Sequence, residues 1–85
     1  MAITFDEALA GFNTEVCDVL RDPTIKLTRE TTAKDIKNWD SLHHIEIVLA
    51  VEKRFKIKFN FAELQKFKNV GQMCDSIVTK TGQTK

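Results

Sequence analysis

The sequence predicts an all-α domain: a bundle of four helices with a long first loop and a short third helix. Three observations predict it. Apolar residues recur at spacings of three and four in four separate segments. Residues that cap helices precede these segments. The stretch 55–61 alternates apolar and polar residues but has no partner strand, so we expect an extended connection there. All 85 residues, 1–85, are expected to form this one domain.

The first helix begins with a capping-box pattern, Thr4-Phe5-Asp6-Glu7, in which Thr4 and Glu7 satisfy each other's backbone amides. Pro23 marks its end. Its apolar face is formed by Phe5, Leu9, Phe12, Val16 and Val19 or Leu20. The stretch 21–40 is polar and rich in threonine, which predicts a long ordered loop. Its expected anchors are Leu27, Ala33, Ile36 and Trp39.

The second helix is predicted to begin at Asp40 or Ser41 and to run to Phe55. Its β-branched residues would also suit a strand, but its length and its polar positions favour a helix. Ile57 and Phe59 are expected to hold the connection that follows against the helices.

Two further helices are predicted in the last third of the chain. Asn60 would cap a short third helix that continues through Leu64 and Phe67. A fourth helix starts near Asn69, with an apolar face of Val70, Met73, Cys74, Ile77 and Val78. Residues 79–85 have no apolar anchor, which predicts a flexible tail.

Charge is distributed unevenly along the chain. Residues 1–52 contain ten acidic and five basic residues, whereas residues 53–85 contain two acidic and eight basic ones. The basic stretch is short and has no base-reading motif, so we expect no nucleic-acid binding. The longest apolar run, 47–51, is too short to span a bilayer, so we expect a cytoplasmic protein without membrane association. The protein is expected to be a monomer. Cys17 and Cys74 are too few for a disulfide framework and lack the CxxC spacing of a zinc or redox site. They are expected to be core or half-buried thiols.

The run Trp39-Asp40-Ser41-Leu42 and the apolar helix behind it, ending at Phe55, resemble the acyl carrier protein family. Asn69-Val70-Gly71 stands where that family usually has Thr-Val-Gly. A serine at a helix start is exposed, and the helix terminus favours a phosphate attached to it. The resemblance implies an acyl-carrier-like bundle in which Ser41 holds 4′-phosphopantetheine, whose thiol carries acyl groups as thioesters.

The resemblance also implies a non-catalytic carrier. A phosphopantetheinyl transferase would move the arm from coenzyme A to Ser41, and Asp40 would contribute to recognition by that enzyme. Acyl-loading and acyl-processing enzymes would contact the exposed side of the second helix, at Leu42, Ile45, Glu46, Leu49 and Glu52. A cleft that shelters the acyl chain would be bounded by Ile47, Val51, Phe55, Phe67 and Ile77.

The residues around the serine are also compatible with roles outside a carrier. Asp40 and Ser41 could merely cap a helix in a small interaction module that is never modified. His43 and His44 point about 100° apart on a helix, so they cannot chelate one metal ion together, and we expect them at the surface beside the arm. A hydrolase that uses Ser41 with either histidine would lack an acid at a convincing spacing.

Two departures from the family bear on the pathway. Carriers of general fatty acid synthesis are acidic along the second and third helices, whereas this chain has a basic cluster there: Lys53, Arg54, Lys56, Lys58, Lys66 and Lys68. Asn60-Phe61 replaces the proline or acid common before the third helix. A dedicated carrier for polyketide, lipid or modified-sugar biosynthesis is therefore expected, with a D-alanyl or aminoacyl carrier as the alternative.

Overall fold

The structure, a computed structural model, describes residues 3–83. Its four α-helices are α1 (Phe5–Leu20), α2 (Ser41–Phe55), α3 (Phe61–Lys66) and α4 (Val70–Gln83). The long loop between α1 and α2 contains a short 3₁₀-helix, Ala33–Asp35, which the sequence pattern did not reveal. No strand forms within residues 3–83. The prediction of an all-α fold with a long first loop and a short third helix is confirmed.

The core forms chiefly where α1 packs against α2 and α4. Its largest fully buried side chains are Phe12, Val16, Ile47, Val51, Val70, Cys74 and Ile77. Burial of each large apolar side chain contributes about 1.5–3 kcal/mol, so these few residues supply much of the stability of so small a bundle. Phe55 is only half-buried.

Side-chain caps begin the helices, as the sequence predicts. At α1, the Glu7 amide donates to the Thr4 hydroxyl at 3.1 Å, and the Thr4 amide donates to the Glu7 carboxylate at 2.9 Å. Asn60 and Glu63 form the same reciprocal pair at α3. Because α3 has only six residues, it needs support from the rest of the fold. The Lys80 ammonium group supplies it, lying 2.8 Å from the Glu63 carboxylate, whose pKa it lowers.

The long loop is held against α1 by a side chain that the sequence analysis did not single out. The Asn13 amide nitrogen donates to the Ile25 carbonyl at 3.0 Å, and its oxygen accepts the Leu27 amide at 2.6 Å. The side chains of Ile25 and Leu27 are both buried. Leu27 and Trp39 were expected anchors, whereas Ile25 was not.

Trp39 anchors the end of the loop between α1 and α2. Its ring centroid lies 6.1 Å from that of Phe12, and its indole N–H donates to Nδ1 of His44 at 3.1 Å. His44 was expected at the surface; the structure shows it half-buried and stacked on Trp39. Its pKa is lowered because burial disfavours the charged imidazolium.

The loop also caps the start of α4. The Gly71 amide donates to the Arg29 carbonyl at 2.9 Å, and the Val70 amide donates to the Thr31 carbonyl at 2.7 Å. Loop carbonyls thereby satisfy helix amides that have no partner inside the helix. A Cβ atom at Gly71 would lie 2.7 Å from the Arg29 carbonyl oxygen, so this approach requires glycine.

Helices α1 and α2 are each followed by a basic residue in the left-handed conformation. Arg21 follows α1 with φ 57°, and Lys56 follows α2 with φ 56°. Their backbone amides donate to the carbonyls of Cys17 and Glu52 and close the last turns. Beyond Lys56 the chain is extended, with Ile57 buried and Phe59 half-buried, as predicted.

The last helix is longer than the sequence predicts. The third helix ends at Lys66, before Phe67, but α4 continues to Gln83 instead of giving way to a tail at residue 79. Thr81 is buried and its hydroxyl donates to the Val78 carbonyl at 3.0 Å. The structure thus places residues 79–83, which were expected in a flexible tail, in the last turns of α4, and residues 84–85 lie outside the described range.

We expect Gly71→Ala to destabilise the protein by about 1–3 kcal/mol, because the new methyl group meets the Arg29 backbone, which cannot move freely. Gly11→Ala is the matched control. There the atoms nearest to the new methyl group belong to the side chains of Phe55 and Arg54 and not to backbone, and the gain in helix propensity of about 1 kcal/mol offsets their displacement. Urea unfolding measures both; equal effects would contradict the described contact between loop and α4.

We expect the free energy of unfolding to fall as the pH drops below about 6.5, the ordinary pKa of histidine. The folded state keeps His44 neutral there, since burial lowers its pKa, whereas the unfolded chain takes up the proton. The free energy of unfolding keeps falling until the pH drops below the lowered pKa of folded His44. Its slope against pH is at most about 1.4 kcal/mol per pH unit. His44→Asn retains an acceptor for Trp39 but does not titrate. The free energy of unfolding is measured for the parent and for His44→Asn between about pH 5 and 8. If it changes equally with pH in both proteins, His44 is not the cause and the prediction is wrong.

Candidate functional site

Ser41 is the first residue of α2, and its side chain is exposed. Asp40 caps the helix: its Oδ1 accepts the His43 amide at 2.9 Å and lies 2.8 Å from Nδ1 of the His43 ring. These two hydrogen bonds, the backbone one first, lower the pKa of the Asp40 carboxyl. The cap is therefore Asp40, which leaves Ser41 without a capping duty.

The Ser41 hydroxyl has no hydrogen-bond partner among residues 3–83. The two neighbouring histidines bond elsewhere, His43 to Asp40 and His44 to Trp39. Neither therefore holds the hydroxyl in the way that a general base holds a serine nucleophile. The geometry presents an exposed hydroxyl at a helix N-terminus, where an anion is favoured.

An open depression of about 500 Å³ lies beside Ser41. It is lined by Ala33, Trp39, Asp40, Ser41, His44 and Ile45. Trp39 and His44 also line a much smaller inner cavity of about 50 Å³, together with Phe67, Val70 and Met73. The anchored Trp39–His44 pair therefore lines both the depression beside Ser41 and this smaller cavity.

The predicted acyl cleft is not open in this structure. Ile47, Val51 and Ile77 are fully buried in the core. Phe67 lines the small inner cavity, and Phe55 packs at the surface of α1 near Gly11. The five residues therefore belong to one packed apolar cluster, and no pocket that they line together is open within residues 3–83.

An exposed apolar stripe runs down α2 from Ser41. Leu42, Ile45 and Leu49 are 63%, 57% and 59% exposed, although leucine and isoleucine favour burial. Their spacing places them along one side of the helix. The structure brings these three predicted contact residues together next to Ser41. Exposed apolar residues in a row are typical of interaction sites.

The two acidic residues predicted at this surface differ in their surroundings. Glu46 is exposed. Glu52 is half-buried, and its carboxylate accepts the Phe59 amide at 2.7 Å, which fixes the extended connection after α2. Glu52 therefore has a structural duty that its position in the sequence did not reveal.

A second depression, of about 450 Å³, lies at the C-terminal end of α2. It is lined by Leu49, Glu52, Lys53, Lys56, Ile57 and Lys58. Three of these six residues are lysines with exposed side chains. The apolar stripe thus ends at a positively charged hollow. The sequence indicated the basic cluster but not the hollow. Ile57 lines the hollow only because the chain turns at Lys56, and that turn could not be predicted from the sequence pattern.

The thiols match their prediction. Cys74 is buried, and burial raises its pKa to about 12, so it stays protonated near neutral pH. Cys17 is half-buried, with its Sγ 3.5 Å from the Ile25 carbonyl oxygen. No group of three His, Cys, Asp or Glu side chains suited to a metal ion occurs in the described part of the chain. The helices of residues 3–83 are all too short or too polar to cross a membrane.

Comparison with known proteins agrees with this geometry. Residues 13–77 match the family model described as "Phosphopantetheine attachment site". An acyl carrier protein of Acidothermus cellulolyticus is 31% identical over 81 residues, which cover 95% of this chain and 96% of that protein. The solution NMR structure of the holo acyl carrier protein from Geobacter metallireducens superposes with a TM-score of 0.84 at 42% identity, covering 89% of this chain and 87% of that one. The chain therefore belongs to the acyl carrier protein family, the non-catalytic carriers that hold 4′-phosphopantetheine covalently.

Proposed function

We propose that Ser41 holds the 4′-phosphopantetheine arm and that the protein carries acyl groups for one specialised biosynthetic pathway. The observation that carries this proposal is the exposed Ser41 hydroxyl, unbonded within residues 3–83, at the first residue of a 15-residue helix. The arm, when attached, supplies a thiol that holds acyl groups as thioesters. The helix N-terminus favours the negative charge of the phosphodiester.

The residues around Ser41 suit attachment by a separate transferase. In that reaction Ser41 Oγ forms a bond to phosphorus, and the pyrophosphate bond of coenzyme A breaks, so that the adenosine bisphosphate leaves. The hydroxyl proton goes to a base of the transferase, since the nearby histidines are bonded elsewhere. The lowered pKa of Asp40 keeps its carboxylate charged beside the serine, available for recognition by that enzyme.

The basic surface at the end of α2 supports a dedicated pathway. Lys53, Lys56 and Lys58 surround the hollow below the apolar stripe. Enzymes of general fatty acid synthesis that recognise acidic carriers through basic patches would be repelled there. Polyketide, lipid or modified-sugar biosynthesis would use other partners, and a D-alanyl or aminoacyl cargo is the alternative to an acyl group.

Incubation with coenzyme A and a broad-specificity phosphopantetheinyl transferase is expected to add one phosphopantetheine to the parent protein and none to Ser41→Ala. Ser76→Ala is the matched control, because Ser76 is the other serine of the chain and lies within α4. Intact-mass measurement distinguishes the variants. An unmodified parent, or a labelled Ser41→Ala variant, would contradict the proposal and favour an unmodified interaction module or another attachment site.

The protein loaded with the arm is expected to be a poor substrate for a malonyl transacylase of general fatty acid synthesis. Lys53→Glu with Lys58→Glu should raise the initial transfer rate, most of all at low salt. The Debye length is about 30 Å at 0.01 M ionic strength and about 8 Å at 0.15 M, so a charge effect fades over that range. Lys34→Glu with Lys37→Glu makes the same charge change on the first loop. An equal gain in both double variants would contradict a specific effect of the α2 surface.

A further inference from the structure

We propose that the hollow at the C-terminal end of α2 docks an acidic segment of the partner enzyme, which inserts an apolar side chain between Lys53 and Lys58. This proposal deepens the proposed function by naming the chemistry of the partner surface. It rests on that function in one respect, namely that the partner acts on the arm at Ser41.

The hollow combines an apolar wall with a charged rim. Leu49 and Ile57 supply apolar surface, and Lys53, Lys56 and Lys58 line the rest together with Glu52. None of the three lysines forms an ion pair with a carboxylate of the described residues. Their charges are therefore free to attract a partner.

The acid in this hollow is already bound within the protein. The Glu52 carboxylate accepts the Phe59 amide at 2.7 Å, so a partner that competed for it would release the connection after α2. The lining contains one carboxylate, that of Glu52, and three lysine ammonium groups, so the hollow has a net positive charge. Arg54 does not share in this surface, because it pairs with Glu15 of α1 at 2.9 Å. The partner surface that fits is therefore acidic.

The hollow faces the same side of α2 as Ser41. At about 100° per residue, Glu52 is rotated only about 20° from Ser41, and the rise of about 1.5 Å per residue places Leu49 about 12 Å further along the axis. Leu49 belongs both to the hollow and to the apolar stripe. A partner that reaches Ser41 can thus contact the stripe and the hollow in one interface.

The number of lysines that line the hollow favours a protein over a membrane. Lipid-binding basic clusters contain about 4–8 lysines or arginines, because each contributes only about 1 kcal/mol at an anionic surface. The hollow has three, since Arg54 pairs with Glu15, and Lys66 and Lys68 are not among its lining residues. Three lysines around a hollow of about 450 Å³ suit one or two side chains flanked by carboxylates.

The test uses two-dimensional NMR of the ¹⁵N-labelled full chain, before and after transferase treatment. The probe is a helical peptide with leucines at positions i, i+3 and i+7 flanked by glutamates. Two further peptides are a scrambled sequence of the same composition and a version with lysine in place of glutamate. We expect the acidic peptide to shift the amides of Leu49, Lys53 and Ile57 and the scrambled one to bind at least tenfold more weakly.

Lys53→Glu with Lys58→Glu should weaken the acidic peptide at least tenfold and make the lysine peptide the better ligand. Lys34→Glu with Lys37→Glu, the matched control on the first loop, should change the affinity less than twofold. Lys56 is left in place because its left-handed backbone would confuse the comparison. Circular dichroism confirms that each variant is folded.

Equal binding of the scrambled peptide, or equal weakening by the two double variants, would overturn the proposal. So would binding to phosphatidylglycerol vesicles without binding to the acidic peptide, which would make this surface a lipid site. Loading of Ser41 is measured separately on the same samples. Peptide binding by a chain that the transferase does not load contradicts the proposed function alone, whereas loading without peptide binding contradicts the docking proposal alone.

Discussion

The candidate site depends on the burial of Trp39, the residue two positions before Ser41. Its indole packs on Phe12 of α1 and donates to His44 of α2, so one side chain fixes the end of the loop to both helices. The next residue, Asp40, can then cap α2, and Ser41 is left at the surface. Without this anchor, the start of α2 would be free to fray, because the first turn of a helix lacks internal partners for its amides.

Much of the fold could be predicted from the sequence, because helix signals are local. The capping residues Thr4, Asp40 and Asn60 are close in sequence to the amides that they bond. Contacts between distant residues were not predictable in this way. The Asn13 side chain bonds the backbone of Ile25 and Leu27, and loop carbonyls cap α4. Neither contact produces a periodic pattern of apolar residues in the sequence, so neither could be recognised there. The continuation of α4 past residue 78 was not predictable either, because the one buried side chain of residues 79–81 is a threonine, Thr81, and not an apolar residue.

The site shows the same division. Ser41 and the contact residues Leu42, Ile45 and Leu49 were expected from the resemblance to the acyl carrier protein family, and the structure exposes all of them. The half-burial of His44 was not predictable, because nothing in the sequence around it indicates that Trp39 will stack on it and donate to it. Glu52 looks like a surface acid in the sequence, but the turn at Lys56 brings the Phe59 amide back to it. Tertiary structure therefore changes the charge that α2 offers a partner.

The left-handed backbone at Lys56 makes stability and recognition compete at one position. A residue with a Cβ atom in this conformation costs roughly 1–2 kcal/mol relative to the right-handed one, and glycine largely escapes that cost. A glycine after α2 would therefore relieve strain in the bundle, as at many helix ends. It would also remove one of the three positive charges around the hollow. Replacing Lys56 with glycine would therefore give a more stable protein whose hollow attracts an acidic partner less strongly.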